Sequence, residues 1–320
     1  MRANALRARE EDIVLLDGIT NNLINQTSDQ EMLLNAAPVV PVCLVPSSPL
    51  HSISIWERSQ SLEPDSSARI YHWCTQEEQL QAVLEHGAQH IFLQLDQSAW
   101  LTPQRRKLIA DTMLAEHDRA RHKALRKLLP LMTGAYEHLL RYVQVNPTSH
   151  LYVVLADLPI TDVLPRLPEL ETRMEALQRW DDGSPETDVS DELNRLMQQF
   201  NRIKEWHQWM QAGEPYLHRL ANAIPEWTDL QAEALFRALL RVRQEGKEVT
   251  ITVMLPYAAS TPLGWGEKLA WIRMAAEQVL GQDNCTLPPV GAWIRPEDVG
   301  TDALHDVMNE VSAADMICYV

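Results

Sequence analysis

From Ala68 onward, short apolar runs alternate with long amphipathic segments. That alternation is what a parallel sheet wrapped by helices requires, because each strand is buried on both faces while each helix hides only one. Arg69–Cys74 reads as a strand, and Gln76–His86 as a helix stopped by Gly87. A second strand covers His90–Leu95, and Leu101–Tyr142 has helical periodicity with breaks expected at Pro130 and Gly134. Leu151–Leu155 is a continuous apolar run of the buried-strand kind. A polar, Trp-containing helical stretch from Leu167 to Met210 is interrupted at the turn Asp181-Asp182-Gly183-Ser184-Pro185. A helix over Leu230–Gln244 then ends at Gly246, a strand covers Val249–Leu255, and a helix spans Trp265–Leu280. Strands at Val290–Ile294 and Asp315–Val320 flank a last helix over Thr301–Val311.

Six strands of this type do not close a barrel, which takes about eight. They would leave two apolar edges open to aggregation. Residues 1–67 contain three more strand-like runs: Asp12–Gly18, Val39–Val45 and Ser52–Trp56. We therefore expect residues near 39–56 to pack on the barrel, or the chain to be obligately assembled. The fold class predicted is α/β: an incomplete or modified TIM-type (β/α) barrel with a short N-terminal β-containing segment. The expected division is residues 1–25, residues 26–67 as a linker with short strands, and residues 68–320 as the barrel-like domain.

Composition narrows the function. The net charge of −16 opposes nucleic acid and anionic membrane as partners, since a polyanion is held by a basic face that releases its counterions. No apolar run reaches the roughly eighteen residues that span a bilayer, and the charged stretch Arg7–Asp12 leaves no room for a secretory signal. A cytoplasmic location is expected. The four cysteines, Cys43, Cys74, Cys285 and Cys318, are far apart with no Cys-x-x-Cys pair, which points to buried free thiols.

Several strings resemble the phosphoenolpyruvate-utilising enzymes. KLIADT followed by ARHKALRKLLPLMTGAYEHLL, within Arg106–Leu140, is similar to the helix pair of pyruvate phosphate dikinases, with its Lys-Ala-Leu-x-x-Leu-Leu-Pro core. Ile224-Pro225-Glu226 through Gln231 resembles the family's Tyr-Pro-Glu-x-x-x-x-Gln helix. Asp157-Leu158-Pro159 to Pro165 is similar to the Asp-Pro-Pro-Leu-His-Glu-Phe-Leu-Pro loop, and Met254-Leu255-Pro256 to the Met-Ile-Pro that closes a strand. Phosphoenolpyruvate synthase and enzyme I of the sugar phosphotransferase system share the pattern. Residues 10–20 resemble the end of the family's swivelling phosphohistidine domain.

The resemblance implies a barrel that binds phosphoenolpyruvate or pyruvate with arginines and Mg²⁺ at its strand ends. Planar cationic forks would neutralise phosphate and carboxylate, and a hard cation needs oxygen ligands. Position by position, this chain departs from that. The family's Arg-Thr-Glu corresponds to Gln94-Leu95-Asp96, an arginine corresponds to Val154, and the magnesium-binding glutamate falls at or beside Arg295. The family's later aspartate and cysteine would lie beyond Val320. No catalytic residue is carried over.

Weaker candidates remain. Arg69, Arg219 and Arg295 could form a cationic pocket, although Tyr216 stands where Arg219 would have an arginine companion. Asp96 and Asp157 follow strands, as barrel ligands do, but two carboxylates are a thin metal site. Thr148-Ser149-His150 echoes a phosphohistidine loop but precedes a strand in the wrong domain, and His207 reads as a helix-face residue. The expectation is thus a catalytically inactive relative acting as a binding or protein-interaction module, with a protein partner or homo-oligomer and no cofactor. A residual or split phosphotransferase subunit, taking phosphoenolpyruvate or pyruvate with Mg²⁺, is the alternative, and a non-functional gene fragment a third.

Overall fold

The computed structural model describes residues 39–45, 54–58, 70–95, 100–143, 148–180, 187–211, 219–224, 226–257, 264–281, 286–295 and 304–319. The strand-like run at 12–18 lies outside them. Strands β1 (Val39–Val45), β2 (Ser54–Arg58), β3 (Ile70–Cys74), β4 (His90–Leu93), β5 (His150–Val154), β6 (Thr250–Pro256), β7 (Val290–Ile294) and β8 (Met316–Tyr319) close into a barrel in the order β1-β2-β8-β7-β6-β5-β4-β3.

Strands β3 to β8 run parallel to one another, as the alternating pattern predicts. The two edges they leave are filled by β1, parallel to β3, and β2, antiparallel to both β1 and β8. Closure removes the exposed apolar edges. An antiparallel pair thus takes two places in the ring, so the sheet is not a uniform parallel repeat.

Helices cover the sheet: α1 (Glu77–Glu85), α2 (Pro103–Met113), α3 (Asp118–Val143), α4 (Ile160–Val163), α5 (Leu167–Trp180), α6 (Thr187–Gln211), α7 (Leu220–Ala223), α8 (Glu226–Gln244), α9 (Trp265–Leu280) and α10 (Leu304–Glu310). The most deeply set is α8. Acidic Glu226 and Asp229 in its first turn and Arg241 and Arg243 in its last complement the helix dipole, and Gly246 at φ 77° reverses the chain. Its Leu235, Phe236, Leu239 and Val242 are fully buried. Each contributes about 1.5–3 kcal/mol relative to exposure.

Helix α3 corrects the sequence reading: it runs unbroken through Pro130 and Gly134. Pro130 has no N–H for the carbonyl one turn back, at an expected cost of about 3 kcal/mol. Burial of Leu128, Met132, Tyr136 and Leu140 on the same helix offsets that. Propensity yields to packing. Free Cys74 and Cys318 are buried, as expected, and none of the helices among the described residues is long and apolar enough to cross a membrane.

Candidate functional site

Strand pleating sends alternate side chains into the barrel. Phe92, Tyr152, Val154, Met254, Trp293, Met316 and Cys318 form one buried cluster there, with Trp73 packed against it. Phe92 stacks on Tyr152 with ring centroids 4.6 Å apart, and Trp293 lies 5.8 Å from Trp73 in an edge-on arrangement. The interior is therefore plugged. Two residues further along each strand, the same alternation brings Thr75, Gln94, Ala156, Pro256 and Arg295 to the carboxyl ends, where they line a cleft of about 570 Å³ with Trp293 on its wall.

Asp157 follows β5 at this rim, and its side chain is only 7% exposed. Arg219, at the start of α7, donates from Nη1 to the Asp157 carbonyl at 3.2 Å, and its Nε lies 3.9 Å from Asp157 Oδ2. Arg295 Nη2 lies 3.9 Å from the same oxygen. Three of the five candidate residues from sequence thus converge. Arg69 and Asp96 lie outside the described residues.

Helix α8 holds the loop that presents Asp157. Gln231 accepts from Ala156 N at 2.7 Å and donates back to Ala156 O at 3.0 Å, while Trp227 Nε1 donates to that oxygen at 2.7 Å. On the far side, Arg106 of α2 donates from Nε to the Asp162 carbonyl at 2.7 Å. Behind Asp157 sits Lys268, 6% exposed, with Nζ 3.4 Å from Asn222 Oδ1. Burial holds its ammonium below the ordinary lysine pKa, against the pull of Asp157 and Glu310.

Gln231 belongs to a helix singled out in the sequence, but its bond to a strand end 75 residues away has no local signal. Lys268 was missed because a lysine on an amphipathic helix ordinarily reads as exposed. The other motifs sit elsewhere. Ser149 donates to Ala88 O at 2.6 Å and His150 Nε2 meets Thr252 Oγ1 at 2.8 Å, both at the amino end of β5, opposite the cleft. His207 is half-buried on α6.

The described residues of this cleft do not by themselves make a divalent-cation site. The described lining offers one carboxylate, Asp157, already set between two guanidinia, where a hard cation needs several oxygen ligands. Among the described residues no group of three or more His, Cys, Asp or Glu is placed to hold a metal. Val154, where the resemblance implies an arginine, is buried in the plug, and Arg295 stands at or beside the position where it implies a magnesium-binding glutamate.

Fold and cleft together define an α/β barrel with a cation-lined rim at the carboxyl ends of its parallel strands. In sequence the chain is distantly similar to pyruvate phosphate dikinases. It is 25% identical over 295 residues to the chloroplastic pyruvate, phosphate dikinase of Mesembryanthemum crystallinum, covering 88% of this chain and 28% of the relative. With chloroplastic pyruvate, phosphate dikinase 1 of Oryza sativa subsp. japonica it shares 24% over 277 residues, 84% of this chain and 26% of the relative. Pyruvate, phosphate dikinase 2 of Zea mays is 26% identical over 203 residues, 62% of this chain and 21% of the relative. The chain spans about a quarter of the length of these curated relatives. No family model matches it.

Proposed function

We propose that the chain is a catalytically inactive relative of the dikinase domain that binds phosphoenolpyruvate and pyruvate, with a modified TIM-type barrel kept as a binding module. One observation carries this reading: Arg295, not a carboxylate, projects over the cleft from β7 and shares Asp157 with Arg219. Removing an electrostatic contributor to a transition state costs on the order of a few kcal/mol. An inverted metal ligand and two replaced arginines, at Gln94 and Val154, remove three at once. A role in protein association, with a partner or a second copy, belongs to the same proposal and draws support from Trp209 and Met197, large apolar residues about half exposed on α6. A cytoplasmic setting is consistent with the buried free thiols.

The test is titration calorimetry of phosphoenolpyruvate with and without Mg²⁺, alongside an assay for phosphoryl transfer to pyruvate. We expect no turnover and no effect of Mg²⁺ on binding. Micromolar, magnesium-dependent binding of phosphoenolpyruvate would overturn the reading in favour of a residual or split phosphotransferase.

A further inference from the structure

We propose that the outward face of α3 is a docking surface for a short acidic segment of a partner protein, held by Arg119, Lys123, Arg126 and Lys127. The inference rests on the protein-association part of the reading above and names the partner's chemistry.

The charge is out of place for the chain. In a molecule of net charge −16, α3 carries six Lys or Arg against Asp118 and Glu137. Ala124, Leu125, Leu128 and Met132 turn inward, while Arg119, Lys123, Arg126 and Lys127 stand exposed at i, i+4, i+7 and i+8. That stripe covers about 12 Å of helix. On the same helix, Arg121 meets Glu226 at 2.5 Å and Arg141 meets Glu137 at 2.6 Å. The four exposed cations make no ion pair among the described residues.

Within the fold the stripe only costs stability. Arg119 in the first turn opposes the helix dipole, and Arg119 with Lys123, then Lys123 with Lys127, are like charges one turn apart. An anion from outside relieves both. The same face continues at Pro130 and Gly134, which are exposed as well. A Cβ on Gly134 would meet nothing within 4 Å, so internal packing does not require a glycine there, although glycine inside a helix costs stability relative to alanine. What the glycine supplies is close approach of another backbone beside the cations.

The surroundings select the partner. A guanidinium fork pairs with a carboxylate through two parallel hydrogen bonds, and about 12 Å matches roughly four residues of extended chain. A nucleic acid would run past the stripe onto acidic ground: Glu116 precedes α3, and exposed Asp229 and half-buried Glu233 lie on α8, which Glu226 ties to Arg121. Neither tyrosine of α3, Tyr136 or Tyr142, is exposed to stack a base. A second copy brings a further −16, and net charge of that size keeps like molecules apart.

The experiment is fluorescence anisotropy of a labelled hexaglutamate peptide titrated with the whole chain, with a single-stranded DNA oligonucleotide in parallel and sedimentation of the chain alone. Hexaglutamate should bind at low ionic strength and weaken as salt rises. Lys123→Glu/Arg126→Glu should weaken it tenfold or more while leaving the Tm unchanged or higher, since the reversal removes like-charge repulsion. Gly134→Gln should weaken binding several-fold and raise the Tm, a combination that a folding defect does not produce.

Absence of hexaglutamate binding at low ionic strength, or binding indifferent to the charge reversal, overturns the inference. DNA binding more tightly than hexaglutamate overturns the choice of partner. So does an oligomer that Lys123→Glu/Arg126→Glu converts to monomer, which would make the stripe a contact between copies. Phosphoryl transfer by the chain would defeat the non-catalytic reading and leave the stripe standing, whereas failure of hexaglutamate to bind defeats this inference alone.

Discussion

Replacing Gln231 with methionine isolates the contact that holds the cleft's acidic residue in place. The side chain is 1% exposed and pairs with both backbone polar groups of Ala156, at 2.7 Å to the nitrogen and 3.0 Å to the oxygen. Methionine keeps most of the volume and deletes both bonds. The oxygen retains Trp227 Nε1 at 2.7 Å, whereas the bond from Ala156 N–H to Gln231 is lost. Leaving a buried donor unsatisfied costs about 1–3 kcal/mol, and the second lost bond adds about 1, so Gln231→Met should destabilise by roughly 2–4 kcal/mol.

Urea denaturation reads this as a lowered midpoint at unchanged slope. Trp227→Phe should cost less, because the carbonyl keeps its Gln231 donor, and the double variant should be non-additive because the two side chains share one oxygen. A loss below about 0.5 kcal/mol for Gln231→Met, the range of ordinary surface changes, would refute the claim that α8 positions the loop.

Two further outcomes follow from the packing and the titration of buried groups. A Cβ on Gly291 would meet Met254 Sδ at 2.6 Å and the Met316 carbonyl at 3.0 Å, so Gly291→Ala should overpack the interior and cost about 1–3 kcal/mol by thermal or chemical denaturation. Burial pushes the Cys74 thiol from 9.0 up to about 12. The unfolded chain therefore loses that proton first, and the stability it confers, intact below about pH 9, falls as pH rises toward about 12. Lys268, held below its ordinary value, acts in the opposite sense. The readout is accordingly the difference between Cys74→Val and the parent chain, in which the variant should lose stability less steeply above pH 9.

The strands were legible because a buried parallel strand leaves a short apolar run bounded by turns. Val290–Ile294 and the helix Trp265–Leu280 fall where the pattern places them. Pro130 misled because a local rule about backbone bonding cannot weigh the burial of Leu128, Met132 and Tyr136 on the same helix. At the cleft, sequence supplied Arg219 and Arg295 as members of one cationic pocket and Asp157 as a separate candidate. The bonding role of Gln231, named only within a helix motif, and the burial of Lys268 stayed hidden, since their partners lie on other elements.

By itself, then, the amino-acid order determined which segments become strands and helices and which polar side chains stand just past a strand, because these follow from periodicities of two and 3.6 residues. Only the tertiary structure decided that β1 and β2 close the ring and that two guanidinia share one buried carboxylate. Those outcomes depend on distances between residues as far apart as 157 and 295. Such distances are fixed by closing the barrel, and no short window of sequence contains them.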